Sequence, residues 1–224
     1  MCAMEASRPT VVLDLDGTLI DTAQRHYALY TTLAKRFSVD VLLFEDYWNL
    51  RRTGLSNIEV LRRGGLQIAD SGAADEMWRR DIESPSLLQM DSVLPGVLDW
   101  LHEWSCAVHF ALITVRSHTA FVNEQLKRMD LIRHLAEVVV IGHGPAMGNI
   151  KATAARRHVT RHPVAWVGDT ELDIAAAREL GAHPIGVTTG IRTAERLRVA
   201  GAEQILDSVT AIKAWPIIAN SAHQ

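Results

Sequence analysis

Six short apolar runs punctuate the chain: VVLDLD at 11–16, AVHFALIT at 107–114, EVVVIG at 137–142, VAWVGD at 164–169, HPIGVTT at 183–189 and the weaker EQILD at 203–207. They read as continuous apolar segments rather than alternating ones, as expected of parallel strands buried on both faces. Between them the hydrophobic positions take up helical spacing. SHTAFVNEQLKRM at 117–129 opens on Ser117, a residue type that caps helix starts, and ELDIAAARELGA at 171–182 closes at Gly181, a helix-stop signal. Ser208 is placed to cap a last helix, VTAIKAW. Alternation of this kind predicts an α/β fold, a Rossmann-like open parallel sheet with right-handed crossovers.

One interval breaks the rhythm. From Thr22 to Asp91 no run reads as a strand, and four helical stretches follow one another: 23–37, 41–52, 57–65 and 73–83. Gly54, Gly64, Gly65, Gly72 and Pro85 punctuate them. The pattern predicts two units: an α/β core from residues 1–21 and 92–224, and a small all-helical insertion over 22–91.

Composition narrows the class. At 224 residues, 48% hydrophobic and 22% charged, the chain has ordinary globular proportions and can bury a sizeable core. A formal charge of -3, with no long single-sign block, offers nothing to attract nucleic acid. No apolar run reaches the roughly 18 residues that suggest a membrane span, and the opening MCAMEASRPT lacks the apolar core of a signal peptide. The only cysteines, Cys2 and Cys106, form no CxxC pattern, so a reduced, cytoplasmic chain without a disulfide is expected. The sequence leaves the oligomeric state open.

Chemistry concentrates at the predicted strand ends, where open parallel sheets bind ligands. Asp14 and Asp16 fall at the end of the first run, two apart and so on one face of the strand, before a turn through Gly17 and Thr18. Two carboxylates held together with little water need a cation or a shared proton. The stretch DLDGTLIDT resembles the DxDGTLxDS/T signature of the haloacid dehalogenase superfamily of phosphohydrolases. Three further features fit it in order. Thr114 ends the second run. Lys151 opens the helical KATAARRH and is the only lysine in its interval, with Arg156 and Arg157 as the other basic residues there. VGDTELD brings Asp169 and, four on, Asp173 to the end of the fourth run.

The resemblance implies a two-step phosphoryl transfer. Asp14 would be the nucleophile and Asp16 the general acid and base. Thr114 would hydrogen-bond the phosphate, and Lys151 would neutralise charge. Mg²⁺ would be held by Asp14, the main-chain carbonyl of Asp16, Asp169 and, as outer support, Asp173. An acid at Asp16 sets the chain apart from the dehalogenase branch. The insertion resembles the helical cap of the phosphoglycolate phosphatase and β-phosphoglucomutase branch. It implies a small phosphorylated metabolite as substrate, phosphoglycolate being the best single candidate, with a phosphomutase as the alternative and a non-catalytic binding module as a remote one. Candidate contacts to the rest of the substrate are Arg51, Arg52, Ser56 and Asn57 in the cap stretch RRTGLSN, and Arg116 two residues after Thr114.

Overall fold

The computed structural model of the chain describes residues 8–142 and 149–213. In chain order its elements are β1 (Thr10–Leu13), β2 (Ile20–Asp21), α1 (Ala23–Arg36), α2 (Phe44–Arg52), α3 (Asn57–Arg63), α4 (Ser71–Asp81), α5 (Pro85–Leu88), β3 (Ser92–Val93) and α6 (Val97–Trp104). There follow β4 (His109–Val115), α7 (Thr119–Arg128), β5 (Glu137–Ile141), α8 (Ile150–His158), β6 (Pro163–Gly168), α9 (Glu171–Glu179), β7 (His183–Val187), α10 (Ala194–Val199) and β8 (Gln204–Leu206). All six apolar runs become strands of one parallel sheet, in the order β5-β4-β1-β6-β7-β8.

The continuous hydrophobicity of the strands has a direct structural reason. Val11 and Leu13 of β1, Phe110 and Leu112 of β4, and Ala165 and Val167 of β6 pack on one face, with Val97, Trp100 and Leu101 of α6 and Val122 and Leu126 of α7. The intervening residues Val12, Ala111, Ile113 and Trp166 pack on the other face, against alanines of α8 and α9. With both faces covered, alternate positions along a strand must all be apolar. Truncating one of these fully buried side chains, such as Leu13 (0% exposed), to alanine would cost about 2–5 kcal/mol.

The helices of residues 23–88 bury a separate apolar cluster, including Leu29, Tyr30, Leu33, Tyr47, Val60, Leu61 and Trp78. The chain leaves the sheet through β2 and returns through β3, which pair antiparallel, Ile20 opposite Val93. Strands this short carry no periodicity, so only the structure reveals them.

Two helix starts differ from expectation. Helix α7 begins at Thr119, and Ser117 does not cap it. The N–H groups of Ser117 and His118 donate to the carboxylate of Glu83, at 2.8 and 3.2 Å, and a charged acceptor binds exposed N–H groups more strongly than a hydroxyl. Ser208 does accept from the N–H of Thr210 at 3.3 Å, but it opens only a 3₁₀ turn over Val209–Ala211. The rest of the stretch expected as a last helix, from residue 214, and Cys2 lie outside the described residues. Cys106 is exposed. Among the described residues no helix is long and apolar enough to cross a membrane.

Candidate active site

β1 lies between β4 and β6, so the carboxyl ends of these three adjacent strands deliver Asp14, Thr114 and Asp169 to one place. The N–H of Asp14 still donates to the carbonyl of Val167 at 3.0 Å, which keeps the nucleophile candidate on the rigid sheet edge. Gly17 then turns the chain at φ +73°, a value that disfavours any side chain. Helix α8 carries Lys151 in its first turn and α9 carries Asp173 in its own. Together they form a cleft of about 190 Å³ that includes Asp14, Asp16, Thr114, Lys151 and Asp169 in its walls, with Thr22, His26 and Thr170. Arg156 is instead paired with Glu179 at 2.7 Å and is exposed, as is Arg157.

The Lys151 ammonium lies 2.8 Å from Asp14 Oδ1 and 2.6 Å from Asp173 Oδ1. Burial would lower its pKa, but the two carboxylates outweigh burial and hold it above an ordinary lysine. Burial, with Asp173 next, pushes Asp14 from its ordinary 3.8 to about 7 despite Lys151. Burial and the neighbouring Asp14 and Asp173 also push Asp169 well above the usual carboxylate range. One lysine therefore leaves the three carboxylates short of positive charge.

That shortage fits a divalent cation. Asp14, Asp169 and Asp173 each offer an oxygen, all within 4.8 Å of one another. Asp169 Oδ2 accepts from the N–H of Ile191 at 2.7 Å, whereas Oδ1 is buried with no partner. The loop passes close because Gly190 has no side chain: a Cβ there would come 1.9 Å from Asp169 Oδ2. Asp173 differs from the other two. Its Oδ1 accepts from Lys151 and, at 3.2 Å, from Trp166 Nε1, and its Oδ2 accepts from the N–H and hydroxyl of Thr170. Its oxygens are thus engaged by the protein, and the open donors are those of Asp14 and Asp169. An all-oxygen, anionic donor set suits Mg²⁺.

Asp16 stands apart from that cluster. Arg116 grips it with two parallel hydrogen bonds, Nε to Oδ2 at 2.6 Å and Nη2 to Oδ1, and Arg25 Nη2 lies 3.3 Å from Oδ1. Both arginines reach back to Asp91, at 3.1 Å from Arg25 and 3.8 Å from Arg116. Burial opposes ionisation of Asp16, but the two guanidiniums overcome it and hold the carboxyl well below the usual range.

The four candidates of the cap stretch RRTGLSN each have partners within the protein. Arg51, Arg52, Ser56 and Asn57 are not among the residues lining the cleft. Ser56 and Glu59 form a reciprocal capping box at the start of α3. Asn57 is buried and accepts from the Tyr47 hydroxyl at 2.8 Å. Arg51 donates to the carbonyl of Leu55, and Arg52 Nη2 to the carbonyl of Thr188 at 3.0 Å. Polar loop residues can satisfy caps and carbonyls as readily as a ligand, and here they do so. Arg116 borders a second lobe of the cleft, beyond Asp16.

Three residues that the sequence pattern left unmarked also shape the site. Asn149 caps α8, accepting from the N–H groups of Lys151 and Ala152 at 2.9 and 3.1 Å, and donates to the carbonyl of Leu172 at 2.9 Å, so it ties the Lys151 helix to the Asp173 helix. Its place two residues before the helix lysine is a readable cap signal. Arg25 and His26, from α1, gave no signal, because only folding brings the cap's first helix over the strand ends.

The model of the haloacid dehalogenase-like hydrolases matches residues 11–187. A phosphoglycolate phosphatase of Synechococcus elongatus is 28% identical over 88% of this chain and 92% of its own length. The β-phosphoglucomutase of Bacillus subtilis is 24% identical over 80% of this chain and 83% of its own. A haloacid dehalogenase-like hydrolase from Streptococcus pneumoniae, 20% identical, superposes with a TM-score of 0.70 over 89% of this chain and 93% of that one. With the carboxylates and the lysine of the signature gathered at the strand ends, the chain belongs to the haloacid dehalogenase-like hydrolase family.

Proposed function

We propose that the protein is a Mg²⁺-dependent phosphatase that hydrolyses a small phosphate monoester through an aspartyl-phosphate on Asp14. The observation that carries the reading is the buried Asp14 carboxylate, aimed into the cleft beside Lys151 at 2.8 Å. Carboxylates of this kind act as nucleophiles toward phosphorus. Asp14 attacks, the phosphorus–oxygen bond to the leaving group breaks, and Asp16, once it has left Arg116 and taken up a proton from solvent, delivers that proton to the departing oxygen. Asp16 then takes a proton from the water that attacks the aspartyl-phosphate, which releases inorganic phosphate and restores Asp14. Thr114 hydrogen-bonds the transferring phosphoryl group, and Lys151 balances its charge where it builds up. Mg²⁺, held by Asp14 and Asp169 with the main-chain carbonyl of Asp16, would offset the repulsion between carboxylate and phosphate. The unpartnered Oδ1 of Asp169 supports that placement.

Phosphoglycolate is the first ester to assay. Release of inorganic phosphate from phosphoglycolate and from p-nitrophenyl phosphate, with Mg²⁺ and with chelator, tests the reading. Turnover that survives chelation would remove the metal. Formation of a phosphoenzyme that returns phosphate to sugar phosphates, with no net release, would favour the mutase instead.

A further inference from the structure

Beyond Asp16 the cleft opens into a second lobe of about 190 Å³, as large as the lobe that holds Asp14 and Lys151. Its charged walls are Asp16, Arg25, Glu83, Arg116 and, on the solvent side, Arg79. Its apolar walls are Trp78, Ile82 and Val115. The two lobes share Asp16, His26 and Val115, so a phosphoryl group seated between Asp14 and Lys151 directs its leaving group past Asp16 into the second lobe.

The charges of this lobe already meet one another. Arg116 and Arg25 hold Asp16, and Asp91 stands behind them, 3.1 Å from Arg25 and 3.8 Å from Arg116. Glu83 adds a third carboxylate, whose charge favours both guanidiniums. Its oxygens also accept from the N–H groups of Ser117 and His118. Arg79 pairs with Asp75. Two buried guanidiniums thus face three carboxylates. When Asp16 swings to the departing oxygen, Asp91 and Glu83 still balance Arg25 and Arg116, so no vacancy opens for an anion from the substrate. A substrate carboxylate here would stand beside Glu83 and Asp16 with no unpaired buried cation among the described residues of the lobe. Like charges brought together away from water are costly. What remains for a ligand is the apolar wall and the imidazole of His26, which burial and Arg25 hold neutral.

Resting on the phosphatase reading, we propose that the leaving group is an uncharged alcohol with an apolar body, seated against Trp78, Ile82 and Val115, and that Glu83, with Asp16 and Asp91, turns carboxylate-bearing esters away. Apolar surface buried against Trp78 supplies the attraction. The surplus of carboxylates supplies the repulsive element that specificity needs against a competing ester. Glu83 is thus a specificity residue, which acts on the choice of ester and not on the attack at phosphorus. This narrows the substrate away from phosphoglycolate, whose leaving group carries a carboxylate.

The test measures steady-state phosphate release, with Mg²⁺ present, from phosphoglycolate, from ethyl phosphate of equal carbon count, and from benzyl phosphate. For the wild type, kcat/KM should favour ethyl phosphate over phosphoglycolate at least about tenfold, on the scale of a like-charge clash. It should favour benzyl phosphate over ethyl phosphate about tenfold, the scale of a few buried carbon atoms. Glu83→Gln, which removes one charge at nearly constant shape, should shrink the first ratio toward one. Trp78→Ala should shrink the second toward one. Wild-type values for phosphoglycolate equal to or above those for ethyl phosphate would overturn the proposal, and so would benzyl phosphate no better than ethyl phosphate. A first ratio unchanged in folded Glu83→Gln would remove Glu83 from it. The wild-type ratios decide alone if a variant does not fold. A wild type that hydrolyses p-nitrophenyl phosphate but prefers phosphoglycolate sinks this inference and spares the phosphatase reading. A wild type that hydrolyses none of the four sinks both.

Discussion

Lys151 Nζ stands 2.8 Å from Asp14 Oδ1 and 2.6 Å from Asp173 Oδ1, so a single ammonium serves the nucleophile candidate and its neighbour together. Replacing it with alanine leaves two buried carboxylates without their cation. We expect kcat to fall about 10²–10³-fold, as for loss of one preorganised electrostatic group. The metal-free fold should lose about 3–5 kcal/mol, the scale for breaking a buried pair from one side. Asn149→Ala removes the cap that sets the Lys151 turn, and should cost about 1 kcal/mol together with part of the activity. Thermal melts and steady-state rates on the same samples check both variants.

The two aspartates of the first signature separate in time. Asp14→Asn has no nucleophile and should never carry phosphate. Asp16→Asn keeps the nucleophile, and an aryl phosphate hardly needs an acid to leave. It should therefore become phosphorylated and then stall for want of a base, with steady-state turnover down about 10²–10⁴-fold. Intact-mass measurement after exposure to p-nitrophenyl phosphate should find added phosphate on the Asp16 variant alone. Near-normal turnover by Asp14→Asn would refute the nucleophile.

Stability should depend on pH in a way that Mg²⁺ suppresses. Burial raises Asp14 from 3.8 to about 7, so the folded chain holds a proton there that the unfolded chain releases. Asp91, raised by burial to about 6 against the pull of Arg25, has the same sign. A raised carboxylate weakens the fold as pH rises from its unfolded to its folded pKa, here from about 4 to about 7. Asp16 has the opposite sign, but its depressed pKa places its loss of stability at strongly acid pH, outside this window; His26, which burial holds well below an ordinary histidine, opposes the fall up to about 6.5, against Asp14, Asp91 and the likewise raised Asp169. The melting temperature of metal-free protein should fall between pH 5 and pH 7.5, a range chosen about these values. Saturating Mg²⁺ should flatten the slope, and an unchanged slope would argue against cation binding at the cluster.

Gly190 is a steric requirement of Asp169. A Cβ at Gly190 would approach Asp169 Oδ2 to 1.9 Å and its Cγ to 2.3 Å. Gly190→Ala must push aside either the loop or the carboxylate, and Mg²⁺ affinity should weaken about 10–100-fold, the range for disturbed support of a metal ligand. Titration of Mg²⁺ by calorimetry reads this directly.

The cap is pinned to the core at a point distant from β2 and β3 in the chain. Arg196 Nη1 donates to the carbonyl of Thr53 at 2.8 Å, the N–H of Thr193 donates to the carbonyl of Arg52 at 3.2 Å, and Glu171 holds Arg196 at 2.7 Å. Arg196→Ala should loosen cap docking and raise KM, while the melting temperature changes little, since exposed pairs contribute about 0–1 kcal/mol. Kinetics and a melt on one preparation separate the two effects.

Much of this architecture was present in the order of residues. Continuous apolar runs announced a sheet covered on both sides, because neither face of β1, β4 or β6 meets water. The interval without strand patterns is filled by the helices of residues 23–88. Asp14, Thr114, Lys151 and Asp169 were named in advance from the resemblance to the family's signature, whose residues fall at strand ends and helix starts, and the topology of a parallel sheet carries these four to one edge. The partners of Asp16 were decided only in three dimensions. Arg25, Arg116 and Asp91 lie 9, 100 and 75 positions from it along the chain. Nothing local marks them as one cluster, and their pairing depends on how the insertion folds back over β4. For the same reason Glu83 displaced Ser117 at the start of α7, and the polar groups of RRTGLSN are taken by its own caps and by the core loop and helix around Thr188, Thr193 and Arg196. Local rules set which groups a segment offers. Which offer is taken depends on the competing partners that tertiary packing brings within hydrogen-bonding distance, and burial makes that choice binding, because a polar group left unpaired away from water is costly.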